Sequence, residues 1–282
     1  MRNFANKQQN MITFLLLLPG LAGFFGLFFY PMLVTVARSF RPEGQASAWT
    51  VANYVLFLSD PDFRRIILLT FFLAIACTLL SIVLSVPLAL LLRRKPAGHR
   101  LFRLTILIPI TVPGLIGALG LLLFWSSRGW FNLLLLQVFG CKAPLKINYT
   151  LGGLVIFYVW HYFSYTAITT LSTLEGLDPA FEEAAVVAGA TPWQVLRHVV
   201  IPLIMPGILS GSVLTFMAAF GAFSIPLITG GNYRPLSVAI YKQIEIFIPA
   251  RWSAASAMAV IMATLQVIFL AFYMRILRKP LT

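Results

Sequence analysis

Six long apolar runs constrain the fold of this chain more than any other feature. None has an Asp, Glu, Lys or Arg well inside it, and a helix needs about 20 such residues to cross a hydrocarbon core. The runs cover approximately residues 11–37, 66–92, 102–125, 151–173, 203–228 and 253–274. The alternating pattern typical of a membrane β-barrel is not evident. The sequence therefore predicts an all-α membrane protein with six transmembrane helices in a single domain, residues 1–282.

The charged residues agree with this interpretation and suggest an orientation. They make up only 10% of the chain, against about 25% in soluble proteins. The net charge of +13 is spread along the chain and indicates contact with membrane lipid, not nucleic acid. Dense basic clusters follow the second and sixth runs: Arg93, Arg94, Lys95, Arg100, Arg103, Arg275, Arg278 and Lys279. Because such clusters stay in the cytoplasm, both termini are predicted to be cytoplasmic.

The sequence offers no catalytic residue and no metal ligand set. It contains no GxxxxGK[ST] phosphate loop, no GxSxG elbow and no HExxH helix. The two cysteines and three histidines are spread along the chain without the spacing of a metal site. The chain is therefore predicted not to hydrolyse ATP by itself.

A more polar segment, residues 178–206, separates the fourth and fifth runs. Asp178 is suited to cap a helix that begins at Pro179. Glu182 and Glu183 would lie in or near its first turn, where the helix dipole favours anions. This pattern predicts a short helix outside the membrane.

A second short helix is predicted directly after it. Gly189 loosens the first helix, and Thr191 with Pro192 repeats the cap-and-proline start. The second helix should run to about Val200, because Pro202 interrupts the hydrogen-bond ladder. The segment is therefore predicted to be a helical hairpin with a glycine elbow.

The stretch EAAVVAGATPWQVLRHVVIPLIMP resembles the EAA motif of the permease subunits of binding-protein-dependent ABC importers. The matching positions are Glu183, Ala184, Ala185, Gly189, Ala190, Pro202 and Pro206. The chain departs from the pattern at Ala188, where Asp is frequent, and at Leu196, where Phe is frequent. The six runs and the basic loop extend the resemblance over essentially the whole chain.

The resemblance implies that the hairpin, at about residues 178–201, consists of coupling helices that dock on a separate cytoplasmic ATPase dimer. ATP and Mg would be bound by that ATPase, and this chain would carry no cofactor. The implied docking residues are Glu182, Glu183, Ala184, Ala185, Gly189, Ala190 and Pro202.

The resemblance also implies further partners and a location. A second permease subunit, a paralogue in preference to an identical copy, would complete the pathway. An external solute-binding protein would be received by the loops 38–65, 126–149 and 229–251. The location implied is the bacterial cytoplasmic (inner) membrane.

The apolar runs give few indications of a solute pathway. They lack a membrane carboxylate of the kind that usually binds a driving proton, which argues against a proton-driven carrier. The candidate pathway residues are Tyr158, His161, Phe220, Phe223 and Ser224.

The solute class is predicted only by resemblance. The stretch AAFGAFSIPLITGGNYRPLSVAIYKQIE looks like permeases for polyamines, ferric iron, thiamine or phosphonates. The opening LLLLPGLAGFFGLFFYPML is shared with sugar permeases, so a sugar-class importer is an alternative. An ion-driven secondary carrier and a membrane scaffold or sensor that only binds an ATPase also stay open.

Overall fold

The computed structural model describes residues 2–44, 48–93 and 97–277, and this part of the chain is helical without a β-strand. The helices are α1 (Arg2–Gly23), α2 (Tyr30–Ser39), α3 (Ala52–Ser59), α4 (Pro61–Arg93), α5 (His99–Thr111), α6 (Gly114–Phe124), α7 (Trp130–Gln137), α8 (Leu151–Glu175), α9 (Ala180–Val187), α10 (Pro192–Val195), α11 (Ile201–Phe220), α12 (Ser224–Thr229), α13 (Leu236–Glu245) and α14 (Trp252–Leu277). The predicted all-α class is confirmed. Four residues of the basic clusters lie outside the described residues: Arg94, Lys95, Arg278 and Lys279.

Up to six membrane spans can be formed by the described helices. Five helical stretches are long and apolar enough: Thr13–Ser39, Pro61–Arg93, Leu151–Glu175, Pro192–Phe220 and Trp252–Arg275. The sixth is the pair α5 and α6, which meet at 108°. Pro113 disfavours helical backbone in the residue before it, and Val112 accordingly has an extended ψ of 125°. The predicted third run is therefore a broken helix.

The predicted fifth run, 203–228, merges parts of two helices and needs correction. Helix α11 ends at Phe220, and α12 begins separately at Ser224. Pro226 is the third residue of α12, where a backbone N–H would have no acceptor within the helix. The run looks continuous in hydropathy because the residues of the break are as apolar as their neighbours.

The predicted end of the second hairpin helix near Val200 is also wrong. Helix α10 continues through a π turn at Leu196–Val200 into α11, so that Pro192–Phe220 is one helical stretch. Pro202 does not stop it, because the wider turn before the proline accommodates both its missing N–H and its ring.

The chain forms two compact units, of which the first contains residues up to 61 and residues 240–264. The Glu43 carboxylate accepts a hydrogen bond from the backbone N–H of Ser253 (3.0 Å) at the start of α14. The Asn53 side chain donates to the backbone carbonyls of Ser39 and Arg41 (3.1 and 2.9 Å). These contacts tie the ends of α2, α3 and α14 together.

The second unit, residues 62–239 and 265–277, is organised by close packing of α8 against α11. A Cβ at Gly207 or Gly211 would lie 2.1 or 2.0 Å from a threonine hydroxyl oxygen of α8. Thr166 and Thr215 join the two helices by a hydroxyl–hydroxyl hydrogen bond of 2.8 Å. Small residues and polar contacts of this kind are the usual means of helix association in membranes.

Candidate functional site

The hairpin segment, residues 178–200, begins with the helix that the sequence predicts. Asp178 caps it by accepting a backbone N–H of the first turn at 2.9 Å. Helix α9 then ends in a Schellman motif, in which Gly189 donates to Val186 (2.9 Å) and Ala190 donates to Ala185 (3.0 Å). Gly189 has a φ of +87°, which glycine adopts without the strain that a side chain would add. The glycine elbow is therefore present.

The second helix of the hairpin segment starts with a capping box. The Thr191 hydroxyl accepts the backbone N–H of Gln194 (3.4 Å), and the Gln194 side chain accepts the backbone N–H of Thr191 (2.8 Å). Pro192 occupies the first helical position, where its missing N–H costs nothing. The predicted cap-and-proline start is confirmed.

One face of the hairpin segment packs against the membrane spans of the second unit, to which the segment itself belongs. Ala185 and Ala190 contact a buried cluster that includes Leu92, Leu174 and Val195. These residues come from α4, α8 and α10. The alanines at two of the motif positions thus hold the hairpin against the ends of the spans.

An ion pair makes a second attachment between the hairpin segment and α4. The Arg93 guanidinium donates to the Glu182 carboxylate, and their side chains are only 22% and 31% exposed. The pair borders a groove of about 840 Å³ between the end of α4 and the hairpin. Glu182 therefore already has a partner within its own chain, whereas Glu183 is exposed.

Other side chains of the hairpin segment are exposed. Val187 is 88% exposed and Trp193 is 65% exposed. Glu183 and Ala184 lie on α9, like Val187, and are also exposed. A shallow depression of about 340 Å³ adjoins the elbow and is lined by Ala188, Gly189, Ala190, Gln194, His198 and Val199. Pro202, the remaining predicted docking position, is exposed on α11 beyond the hairpin.

Two of the predicted pathway residues lie in the core of the second unit instead of on an open surface. Tyr158 and Phe220 are each 1% exposed. Phe220 packs edge-on against Phe71 of α4 with ring centroids 5.0 Å apart. These two side chains contribute to packing.

The structure brings two other predicted pathway residues together at the helix breaks. A Cβ at Gly114, the first residue of α6, would lie 3.4 Å from the Ser224 Cβ and 3.7 Å from the His161 Nε2. Ser224 is the first residue of α12, so the break between α5 and α6 and the break after α11 meet beside His161. Phe223 is partly exposed in the second break. For Gly114, the only sequence signal is the preceding Pro113.

This junction can interact with a solute by hydrogen bonding and ring contact, not by formal charge. His161 Nδ1 is buried without a hydrogen-bond partner in the described structure. Irregular backbone at membrane depth is tolerated where it is covered by protein or lines a water-filled cavity. Within the described residues, no three His, Cys, Asp or Glu side chains could hold a metal ion together.

Comparison with known proteins identifies the family. The family described as binding-protein-dependent transport system inner membrane component matches residues 81–281. The spermidine/putrescine transport system permease protein PotB of Salmonella typhimurium (strain SL1344) is 28% identical over 276 residues, which cover 96% of this chain and 94% of PotB.

Solved structures share the fold. A chain of a bacterial ABC transporter involved in the import of the acidic polysaccharide alginate superposes with a TM-score of 0.83 at 19% identity, covering 100% of both chains. A chain of a bacterial alginate ABC transporter in complex with an alginate pentasaccharide-bound periplasmic protein gives 0.81 at 19% identity, covering 99% of this chain and 98% of that one. Since the family match spans well over half of the sequence, the chain belongs to the binding-protein-dependent transport system inner membrane components and is a multi-pass ABC importer permease subunit that works with a solute-binding protein.

Proposed function

We propose that this chain forms half of the translocation pathway of an ATP-driven importer and that the hairpin segment docks on a separate cytoplasmic ATPase dimer. The ATPase would bind ATP and Mg²⁺. The observation that carries the proposal is the exposure of the hairpin. The hairpin packs on the spans through Ala185 and Ala190, while Glu183, Val187 and Trp193 are exposed.

The connections of the hairpin segment support mechanical coupling. Its second helix continues without a loop into α11, and only a short turn separates α9 from the end of α8 at Glu175. Because α8 and α11 pack closely at Gly207 and Gly211, a displacement of the hairpin would move both helices. This chain would therefore transmit motion, while the ATPase supplies the free energy.

Basic residues of the same region support the orientation that we propose. Arg93 pairs with Glu182, and Arg103 pairs with Glu175 at 3.2 Å. Positive residues beside membrane spans favour the cytoplasmic side. We infer that the hairpin segment and both termini are cytoplasmic. We also propose that a second permease subunit, a paralogue in preference to an identical copy, completes the pathway in the inner membrane.

The solute class that we propose is the polyamines. The support is the likeness to PotB, which covers 94% of that relative, whose name refers to spermidine and putrescine. An aromatic ring such as that of Phe223 can attract an organic cation without a carboxylate. A sugar-class solute is the second candidate, because His161 and Ser224 offer hydrogen bonds suited to hydroxyl groups and the alginate importer has the same fold.

The test is ATP-dependent uptake by the reconstituted complex, with Gly189→Leu as the variant. No atom lies within 4 Å of a Cβ at Gly189, so the leucine should clash with nothing in this chain. Gly98→Leu is the matched control, because Gly98 also has a positive φ (+81°) and the nearest atom to a Cβ there is 3.9 Å away, an ordinary contact. The backbone strain of about 1–2 kcal/mol is then common to both variants. We expect only Gly189→Leu to abolish uptake and stimulated ATP hydrolysis.

Each alternative gives a different result in this assay. Normal uptake by Gly189→Leu would contradict coupling through the elbow. Uptake without an ATPase would indicate an ion-driven carrier, and ATPase binding without any uptake would indicate a scaffold or sensor. Competition of labelled spermidine uptake by unlabelled polyamines, but not by oligosaccharides, is expected if the solute class is right.

A further inference from the structure

An apolar groove separates the end of α4 from the hairpin segment. We call it the α4–hairpin groove; its volume is about 840 Å³, and its apolar walls are formed by Pro87, Leu90, Leu91, Val186, Leu196 and Val200. Leu91 is 58% exposed and Val186 is 61% exposed, so no other described part of the chain covers these two side chains. The groove is therefore open to an apolar ligand from outside the chain.

The α4–hairpin groove is separate from the depression at the elbow. No residue lines both of them. The groove follows the last turns of α4, from Pro87 to Arg93, whereas the depression adjoins Gly189. A ligand in the groove would therefore not occupy the elbow.

The polar end of the groove has an ion pair with further positive charge beside it. Arg93 donates to Glu182 through Nη1 alone, and its guanidinium makes no second hydrogen bond to a described residue. The sequence continues directly with Arg94 and Lys95, and the exposed Arg197 lies on the π turn that forms one wall. Since a guanidinium has five N–H donors in a geometry that suits phosphate, Arg93 can bind a phosphate without releasing Glu182.

The composition of this end of α4 is typical of the level at which lipid headgroups meet a membrane span. Helix α4 is apolar along its length and ends in basic residues from Arg93 onward. Trp193, which is 65% exposed, lines the groove at the same end. Tryptophan and basic residues at the end of a span favour the membrane–water interface. Basic pockets between membrane helices at this depth bind the headgroups of anionic lipids.

The charges of the groove favour an amphiphilic anion over an organic cation. Its one carboxylate, Glu182, is already paired with Arg93. A cation would therefore have to displace Arg93 and approach the neighbouring basic residues. An anion with an apolar chain would instead meet free N–H donors at one end and apolar walls along the rest.

We propose that the α4–hairpin groove binds an anionic phospholipid of the cytoplasmic leaflet, with an acyl chain along the apolar walls and the phosphate at Arg93. The inference rests on the proposed function only in placing the hairpin segment at the cytoplasmic surface. Because the walls come from α4 and from both helices of the hairpin, the bound lipid connects the hairpin segment to the spans.

The test uses the assembled transporter in phosphatidylcholine nanodiscs that contain a limiting amount of phosphatidylglycerol with a photoactivatable diazirine on its acyl chain. Cross-linked peptides are identified by mass spectrometry. We expect labelling within residues 87–93 and 186–200, which contain the lining residues other than Glu182. Excess unlabelled phosphatidylglycerol should remove the labelling, and excess phosphatidylcholine should not.

Two pairs of variants separate the acyl chain from the headgroup. Leu91→Gln places an amide against the acyl chain and should lower the labelling, whereas Leu101→Gln is the matched control, because Leu101 is 69% exposed at the start of α5 and does not line the groove. Glu182→Gln breaks the ion pair but keeps the cation, so its labelling should persist. Adding Arg93→Gln to Glu182→Gln should lower the labelling about fivefold, the effect of one cation near an anionic membrane surface.

The outcomes distinguish the possible occupants. Equal labelling by phosphatidylglycerol and phosphatidylcholine probes would mean contact with bulk lipid only and would overturn the proposal. Removal of the labelling by inorganic phosphate would assign Arg93 to a free anion, with the same consequence. An unlabelled groove in the assembled transporter would mean that a protein subunit covers it, which also overturns the proposal. Failure of the proposed function would appear separately, as absence of ATP-dependent uptake by the unaltered transporter.

Discussion

The ion pair between Arg93 and Glu182 gives the sharpest test of how the hairpin segment is held. Reversing either charge alone, by Arg93→Glu or Glu182→Arg, places two like charges at a half-buried contact. The double variant exchanges the two residues and restores the pair in the opposite direction. The perturbation is confined to the connection between the end of α4 and α9.

The expected magnitude follows from the burial of the pair. Exposed ion pairs contribute about 0.2–1 kcal/mol, and loss of one partner from a fully buried pair costs about 3–5 kcal/mol. With side chains 22% and 31% exposed, the Arg93–Glu182 pair lies between these limits. We therefore expect about 1–2 kcal/mol, which corresponds to an increase of about 5–30-fold in local opening of the hairpin.

Hydrogen exchange measured by mass spectrometry on peptides covering residues 178–200 would report this opening directly. Both single variants should exchange faster, and the charge-swapped variant should recover most of the protection. Glu183→Gln is the matched control, because Glu183 is the exposed neighbour and should leave exchange unchanged. Exchange at the unaltered rate in both single variants would refute the reasoning, and so would equal acceleration by Glu183→Gln.

Two further predictions concern the frame around these sites. Gly211→Ala would place a Cβ 2.0 Å from the Thr169 hydroxyl oxygen, so it should lower stability by about 1–3 kcal/mol and reduce the melting temperature in detergent. Gly152→Ala is the control, because a Cβ there meets open space and should leave the melting temperature unchanged. Equal melting temperatures of the two variants would contradict the close packing of α8 on α11. Asn132→Ala should destabilise the loop at residues 126–150 by about 1–3 kcal/mol, because backbone groups of Ser126 and Leu145 lose their side-chain hydrogen-bond partner. Hydrogen exchange should become faster in this loop but not in the exposed control Gln137→Ala, and unchanged exchange would contradict the prediction.

Local sequence signals predicted the features that depend on a few neighbouring residues. Asp178, Gly189 and Thr191 act where the capping rules place them, because each satisfies backbone groups within its own turn. Hydropathy also predicted the all-α class, since a span needs only sufficient length and an apolar composition. Neither signal requires knowledge of tertiary contacts.

Features that depend on distant contacts could not be predicted in this way. Arg93 and Glu182 are 89 positions apart, so nothing local distinguishes the paired Glu182 from the exposed Glu183. The burial of Tyr158 and Phe220 could not be predicted either, because a helix that is apolar on every side does not reveal which face is buried. Pro202 predicts a helix end that does not occur, because the π turn before it has no clear sequence signature.

The way the spans are joined indicates where motion of the hairpin segment would be absorbed. The hairpin continues into α11 and follows α8 closely, and those two helices pack so closely at Gly207 and Gly211 that a Cβ would not fit between them. A rigid pair of this kind passes displacement on to the nearest place where backbone can rotate. The break between α5 and α6 and the break after α11 offer such places beside His161, where Gly114 and Ser224 begin new helices. A push on the hairpin should therefore change the geometry of this junction first, because elsewhere along α8 and α11 close packing opposes it.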